Sequence, residues 1–139
     1  METLIQHHQE IAVFIARIIL GILFFFQGYD AVFNLKISTV IITYQNSFAN
    51  KGIPKLITAC GAWFTSYSEL VGGFMLIFGF YEYIALYLLG LNLLVASFAF
   101  SVNTPMWDTK HVLLRLILLL FLLIVPISWH TYSIDNLLF

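Results

Sequence analysis

Four apolar runs of membrane-spanning length divide this 139-residue sequence, and they limit its possible folds more than any other feature. A helix needs about 20 apolar residues to cross the hydrocarbon core of a bilayer. The composition agrees, because 61% of the residues are hydrophobic and 9% are charged, whereas soluble domains are about a quarter charged. We therefore predict an all-α integral membrane bundle of four transmembrane helices, running up-down-up-down in a single domain over 1–139. The predicted helices cover roughly residues 11–33, 57–80, 84–100 and 112–129.

The segments between these runs predict how the chain lies in the membrane. The leading METLIQHHQE has no Lys or Arg, and no small-residue cleavage site follows promptly, so we expect the first run to stay as a helix. The long connection 34–56 has a half-apolar middle, which we expect either to lie along the membrane surface or to extend the first helix. The first and third loops hold the loop lysines, Lys36, Lys51, Lys55 and Lys110. The positive-inside rule places those loops in the cytoplasm and both termini outside.

Three polar residues interrupt the first three apolar runs. At 1.5 Å per residue, Glu69 lies roughly 18 Å from the loop side and Arg17 roughly 9 Å from the terminal side. These depths nearly coincide in a core about 30 Å thick, and Asn92 lies at a similar level. Charges at mid-membrane are costly and usually pair inward. We therefore expect Arg17, Glu69 and Asn92 to form one buried polar site, which is either a structural ion pair or a site for a ligand or a proton.

Small residues accompany these polar side chains on the same helix faces. At 100° per residue, Gly21 and Gly28 share a face with Arg17, and Gly72 and Gly73 share one with Glu69. Small residues allow membrane helices to approach closely. We therefore predict that these four glycines pack helix against helix.

A second polar level is predicted toward the loop side. Gln27 and Asp30 end the first helix, while His111 and Arg115 begin the fourth, four residues apart on one face. Asp30 and Arg115 form a plausible pair, although these side chains could equally extend to the membrane interface without pairing. Together the two levels could line a cavity that runs from the centre of the bundle toward the loops.

Several chemistries find no support in the residues. Cys60 is the single cysteine, so the chain has neither an intrachain disulfide nor a paired-cysteine redox motif. The four histidines are not spaced to ligate haem, and no Cys/His metal cluster is present. We expect no catalytic residue and no metal site. The net charge of −1 gives no reason to expect nucleic acid as a partner.

Three stretches resemble the DoxX family of small membrane proteins. They are RIILGILFFFQGYDAVF in the first run, KGIP followed by SELVGGFMLIFGF in the second, and the closing HTYSIDNLLF. The residues that match the family pattern in the helices are Arg17, Gly28, Glu69, Gly72 and Gly73. Ser133 and Asp135 match the tail of the family. The lone Cys60 departs from relatives that carry paired cysteines, which argues against direct thiol–disulfide exchange.

The resemblance implies a small four-helix subunit of a bacterial cytoplasmic membrane. Some members accompany quinone-linked oxidoreductases such as thiosulfate:quinone oxidoreductase, so the resemblance suggests a subunit or accessory protein rather than a stand-alone enzyme. A quinone is chemically reasonable as a cofactor, with Arg17 and Asn92 as donors and Glu69 relaying a proton. The phenylalanines Phe24–Phe26 and Phe74 would then surround an isoprenoid tail.

Three functions remain open at this stage. The first is a membrane subunit that binds quinone or a similar lipophilic molecule for an oxidoreductase. The second is a non-catalytic scaffold in a larger membrane complex. The third is a small carrier or proton pathway, which would need an oligomer because four helices leave little room for alternating access. We expect membrane lipid around the chain, and a protein partner or further copies of the chain beside it.

Overall fold

A computed structural model describes residues 7–103 and 109–138, and all the regular structure in these residues is helical. This confirms the predicted all-α class. A π-helical turn at Asp30–Asn34 continues the first helix, and a 3₁₀ turn at Ile127–Trp129 precedes the last. The helices are α1 His8–Tyr29, α2 Ile37–Phe48, α3 Lys55–Phe78, α4 Glu82–Asn103, α5 Thr109–Ile124 and α6 Ile134–Leu138.

Two helices in the described residues are long and apolar enough to cross a membrane, His8–Asn34 and Glu82–Asn103. Helix α3 has 24 residues, which is sufficient length, but Glu69 and several hydroxyl residues lower its hydropathy. The apolar stretch of α5, Val112–Ile124, is shorter. Length and composition therefore support two spans, and the four-span bundle stays a prediction.

The long connection after the first run contains a separate helix, α2. Lys36 has φ 63° and ψ 141°, a conformation outside the helical region, so it separates α2 from the turn that continues α1. The connection therefore does not extend the first helix. Helix α2 packs against α3 and buries Phe48 there.

Glycine and proline mark the ends of the long helices. Pro54 immediately precedes α3, where its missing N–H and fixed φ favour a helix start. Gly79 ends α3 with φ 65°, a left-handed conformation that glycine adopts without steric cost. Helix α5 ends before Pro126, which lacks the N–H needed to continue it.

The four predicted packing glycines lie where α3 meets its neighbours. A Cβ on Gly21 would lie 2.9 Å from the backbone nitrogen of Ile77, and a Cβ on Gly73 would lie 2.9 Å from the Gly21 carbonyl oxygen. A Cβ on Gly28 would collide with the backbone of Leu70. Gly72 faces α4 instead, with a Leu89 methyl carbon 2.8 Å from the same position.

These contacts also define the direction and register of α1 against α3. Seven residues separate Gly21 from Gly28, and seven separate Leu70 from Ile77, so the two helices run antiparallel in constant register. Four residues further along, the α3–α4 turn comes opposite Arg17. The first part of α1 therefore extends beyond the end of α3, where the segment after Pro126 packs against it.

Candidate functional site

Arg17 belongs to a polar cluster at the α3–α4 turn and not to the level of Glu69. Its Nη1 lies 3.2 Å from Oε2 of Glu82, and the two side chains are 2% and 3% exposed. Its Nη2 donates to the carbonyl oxygen of Tyr132. The expected Arg17–Glu69 pair is therefore not formed.

The stagger between α1 and α3 is the physical reason. We had placed Arg17 and Glu69 at one depth by measuring each from the end of its own apolar run. The glycine register instead puts Arg17 about 12 residues, or roughly 18 Å, along the bundle from Glu69. This distance exceeds the reach of an arginine side chain, whereas Glu82 begins α4 beside it.

The cluster around Glu82 also holds the C-terminal segment. Nδ1 of His130 lies 2.6 Å from Oε1 of Glu82. The Asp135 carboxylate accepts hydrogen bonds from the backbone N–H groups of Tyr81 and Glu82, at 2.9 and 3.0 Å. The Asp135 N–H in turn donates to the Gly79 carbonyl oxygen at 3.1 Å. Arg17 thus contacts both Glu82 and the Tyr132 carbonyl, and Asp135 contacts the N–H groups at the start of α4. Both side chains hold the C-terminal segment against the α3–α4 turn.

Glu82 and His130 are not among the site residues predicted from the sequence. A usable signal was present, because Arg17, the short α3–α4 connection and the chain end were all assigned to the same side of the bundle. The Asp135 contact gives a physical role to the tail motif that the family resemblance had singled out.

Glu69 lies in a second polar cluster, near the middle of α3. Nε2 of Gln27 donates to its Oε1 at 3.1 Å. Arg115 provides the opposite charge, and the Asn92 side chain also interacts with the carboxylate. Glu69 itself is 6% exposed. The structure therefore brings together Glu69, Asn92, Gln27 and Arg115, which our sequence analysis had divided between two levels.

Asp30, which was predicted to pair with Arg115, lies outside the cluster around Glu69. Asp30 is exposed and accepts a hydrogen bond from Asn34 at 2.8 Å, so the expected pairing with Arg115 is wrong. The guanidinium of Arg115 instead lies over the Phe24 ring, 5.0 Å from its centroid, because it points inward toward Glu69. The side chain of His111 lies outside the described part of the structure.

The Glu69 cluster lines a cavity of about 400 Å³. Gln27, Glu69, Asn92 and Arg115 supply its polar wall. Leu93, Ala96, Phe100 and Val112 supply its apolar wall. The cavity therefore combines one cation, one carboxylate and two amides with an apolar side, which suits a ligand of mixed polarity.

Asn92 is fully buried, yet its hydrogen bonding is incomplete. Its Nδ2 donates to the Thr65 carbonyl oxygen at 3.1 Å and to the Ser68 hydroxyl at 2.8 Å. Its Oδ1 has no partner among the described residues. Burying an unpaired acceptor costs roughly 1–3 kcal/mol.

Three further buried polar atoms in the described ranges lack a partner, and all lie at the other cluster or beside it. They are Nε of Arg17, the Tyr83 hydroxyl and Nε2 of His130. Arg17 and His130 each contact Glu82 through another nitrogen of the same side chain. Among these four atoms, only Asn92 Oδ1 belongs to a residue that lines the cavity around Glu69.

The histidines, acids and cysteine of the described residues form no metal site. No group of three or more of these side chains is placed to hold a metal ion within residues 7–103 and 109–138. Cys60 is exposed on α3.

The comparisons with known proteins give one match. The DoxX family model matches residues 12–102, well over half of the chain. This range includes Arg17, Gln27, Glu69, Glu82 and Asn92, whereas α5 and the C-terminal segment follow it. No curated protein and no solved structure matches. The family match, the two helices able to span a bilayer and the resemblance in the motifs agree, and the chain belongs to the DoxX family of membrane proteins.

Proposed function

We propose that this chain is a membrane subunit that binds the polar head of a lipophilic ligand beside Glu69 and so supports a membrane oxidoreductase. The cavity of about 400 Å³ in which Gln27, Glu69 and Arg115 face an apolar wall is the observation that carries this proposal. The DoxX family is associated with oxidoreductase-type systems, which gives the proposal its context. A quinone is the ligand class that we favour.

The donors and acceptors around the cavity favour a quinone over a purely acidic or purely basic ligand. Arg115 can donate to a ring carbonyl, and Gln27 is a second donor nearby. Glu69 can accept from a ring hydroxyl. A ligand that changes from acceptor to donor on reduction would find partners in both states. A bound quinone would carry electrons and protons within the membrane.

The cavity also has a suitable size. Ligand pockets occupy about 300–1,000 Å³ and are mostly apolar with a few placed polar groups. The cavity beside Glu69 measures about 400 Å³ and matches this pattern. Glu69 is the carboxylate in this cavity that could accept a proton from the ligand, and Gln27 orients one of its oxygens.

The membrane arrangement belongs to the same proposal. Helices α1 and α4 span the bilayer, and α3 and α5, which pack against them, complete a four-span bundle. Inside this bundle the polar residues of α3 are shielded from lipid by their neighbours. This satisfies the rule that intramembrane charges face the interior and pair.

The test compares three proteins purified into lipid nanodiscs: the wild type, Glu69→Gln and Glu82→Gln. Bound quinone per chain is quantified by mass spectrometry, with empty nanodiscs prepared beside them. Glu69→Gln keeps the side-chain shape but leaves Arg115 without a carboxylate. Glu82→Gln also removes a buried carboxylate but does not touch the cavity, so it is the matched control.

We expect near-stoichiometric quinone with the wild type and Glu82→Gln, and a clear loss with Glu69→Gln. A wild type that carries no more quinone than empty nanodiscs would overturn the proposal. The scaffold and carrier hypotheses would then be tested next, through co-purifying subunits and through transport by reconstituted chains.

A further inference from the structure

Gly61 is a helix-interior glycine that the packing of α3 does not require. A Cβ built on it has no atom within 4 Å, whereas a Cβ on Gly72 or Gly73 would collide with a neighbouring helix. Glycine weakens a helix interior relative to alanine, because it loses more backbone freedom on folding. Its presence here is explained if the space beside it has to remain open.

That space is an apolar cleft between α2, α3 and α4. Tyr44 and Phe48 line it from α2, Ile57 and Gly61 from α3, and Val95 and Ala99 from α4. The cleft has a volume of about 100 Å³. No charged side chain lines it in the described residues.

An intermediate cleft of about 270 Å³ lies between this cleft and the cavity of Glu69 and shares lining residues with both. The intermediate cleft shares Ala96 and Phe100 with the polar cavity. It shares Tyr44, Phe48 and Ala99 with the apolar cleft. The three neighbouring spaces therefore outline a path that is charged at the end near Glu69 and apolar at the end near Gly61. Tyr44 and Phe48 of α2 line two of these spaces.

We propose that this path holds the apolar tail of the ligand whose polar head lies beside Glu69, with the tail passing Ala96 and ending at Gly61. The inference rests on the proposed function. It assigns the ligand a single flexible chain attached to its ring, and it makes α2 the cover of the tail. The tail leaves the head at the apolar wall of the cavity, so no charged group has to be displaced.

This path replaces the one expected from the phenylalanines of α1 and α3. Phe26 and Phe74 are 62% and 51% exposed on the outside of the helices, and Phe24 is buried under Arg115. None of them lines the cavity beside Glu69 or the two clefts next to it. The walls of the tail path come instead from α2 and α4.

A graded substitution at Gly61 tests the path. Gly61→Ala adds one methyl group to open space, and Gly61→Phe fills the cleft without collision at Cβ. Leu94→Phe, on a residue 69% exposed on the outer face of α4, controls for an added aromatic ring. Binding is measured in nanodiscs with a tailless dimethoxy-methyl-benzoquinone and with the same ring carrying a decyl chain. Empty nanodiscs correct for partition into lipid.

We expect Gly61→Phe to weaken binding of the decyl quinone about tenfold or more, because overpacking excludes the chain. Gly61→Ala, which narrows the cleft by one methyl group, should weaken binding of the decyl quinone less than Gly61→Phe does. Binding of the tailless ring by both Gly61 variants should stay at the wild-type level, as should both affinities of Leu94→Phe. Equal weakening for both probes, or no weakening for either, would overturn the tail path while leaving ring binding in place. Failure of the wild type to bind either probe would overturn the proposed function and the tail path together.

Discussion

The guanidinium of Arg17 pairs with the carboxylate of Glu82, at 3.2 Å and across 65 residues of chain. This contact joins α1 to the first residue of α4, and the Arg17 bond to Tyr132 adds the C-terminal segment. The two buried clusters therefore have different roles. The Arg17 cluster joins chain segments at one end of the bundle, whereas the Glu69 cluster opens into a cavity.

The first prediction concerns the charge balance of the Arg17 cluster. Arg17→Met should lower the free energy of unfolding by about 3–5 kcal/mol, because it leaves Glu82 buried without its cation. Thermal or denaturant unfolding in detergent measures the change. The double variant Arg17→Met with Glu82→Gln should recover part of the loss, since no unpaired charge remains. A single variant as stable as Lys51→Met, at an exposed position, would contradict a buried ion pair.

The second prediction concerns the cap that Asp135 provides for α4. Asp135→Ala should cost about 1–2 kcal/mol, because the N–H groups of Tyr81 and Glu82 lose their acceptor. Hydrogen exchange at these two amides, followed by mass spectrometry, should accelerate. Leu137→Ala, on a residue 86% exposed, is the control and should leave both the exchange and the melting temperature unchanged. Unaltered exchange in Asp135→Ala would show that another group caps α4.

The third prediction uses two glycines in opposite environments. Gly28→Ala should destabilise the protein by about 1–3 kcal/mol, because its methyl group collides with the backbone of Leu70 and separates α1 from α3. Gly61→Ala should instead stabilise it by about 0.5–1 kcal/mol, since the methyl group enters open space in a helix interior. Melting temperatures of the two variants, measured side by side, should therefore move in opposite directions. Melting temperatures that shift in the same direction for both variants would contradict this prediction.

The fourth prediction separates the charge of Arg115 from its shape. Arg115→Leu removes the cation facing Glu69 and should cost about 1–3 kcal/mol, a value below that for Arg17 because Arg115 is only half-buried. Arg115→Lys keeps the charge but loses the planar contact with Phe24, so it should cost less. Comparing the free energies of unfolding of the two variants separates the contribution of the charge from that of the contact with Phe24. A lysine variant as unstable as the leucine variant would show that the contact with Phe24, and not the charge, dominates.

Much of the helical structure could be predicted because its determinants are local. Apolar runs, the proline before α3 and Gly79 after it place the helices to within a few residues. The separate helix α2 could not be distinguished from an extension of α1, because the break depends on the backbone conformation of Lys36. Its half-apolar pattern is equally compatible with both arrangements.

The candidate site was predicted only in part. Glu69 and Asn92 were expected together and lie together, and Gln27 and Arg115 were expected nearby and interact with Glu69. Asp30 was expected to face Arg115, but it lies at the exposed end of α1 and contacts Asn34. Gly61 drew no attention in the sequence, because its meaning depends on the empty space around it.

Apolar runs and the charges within them are enough to predict a helical chain whose buried charges need partners. The identity of those partners depends on how the helices pack. The reason is geometric, because hydropathy shows how far a residue lies from the end of its own helix but not how two helices are staggered. The glycine contacts between α1 and α3 set that stagger, and the stagger gives Arg17 to Glu82 and leaves Glu69 to Gln27 and Arg115.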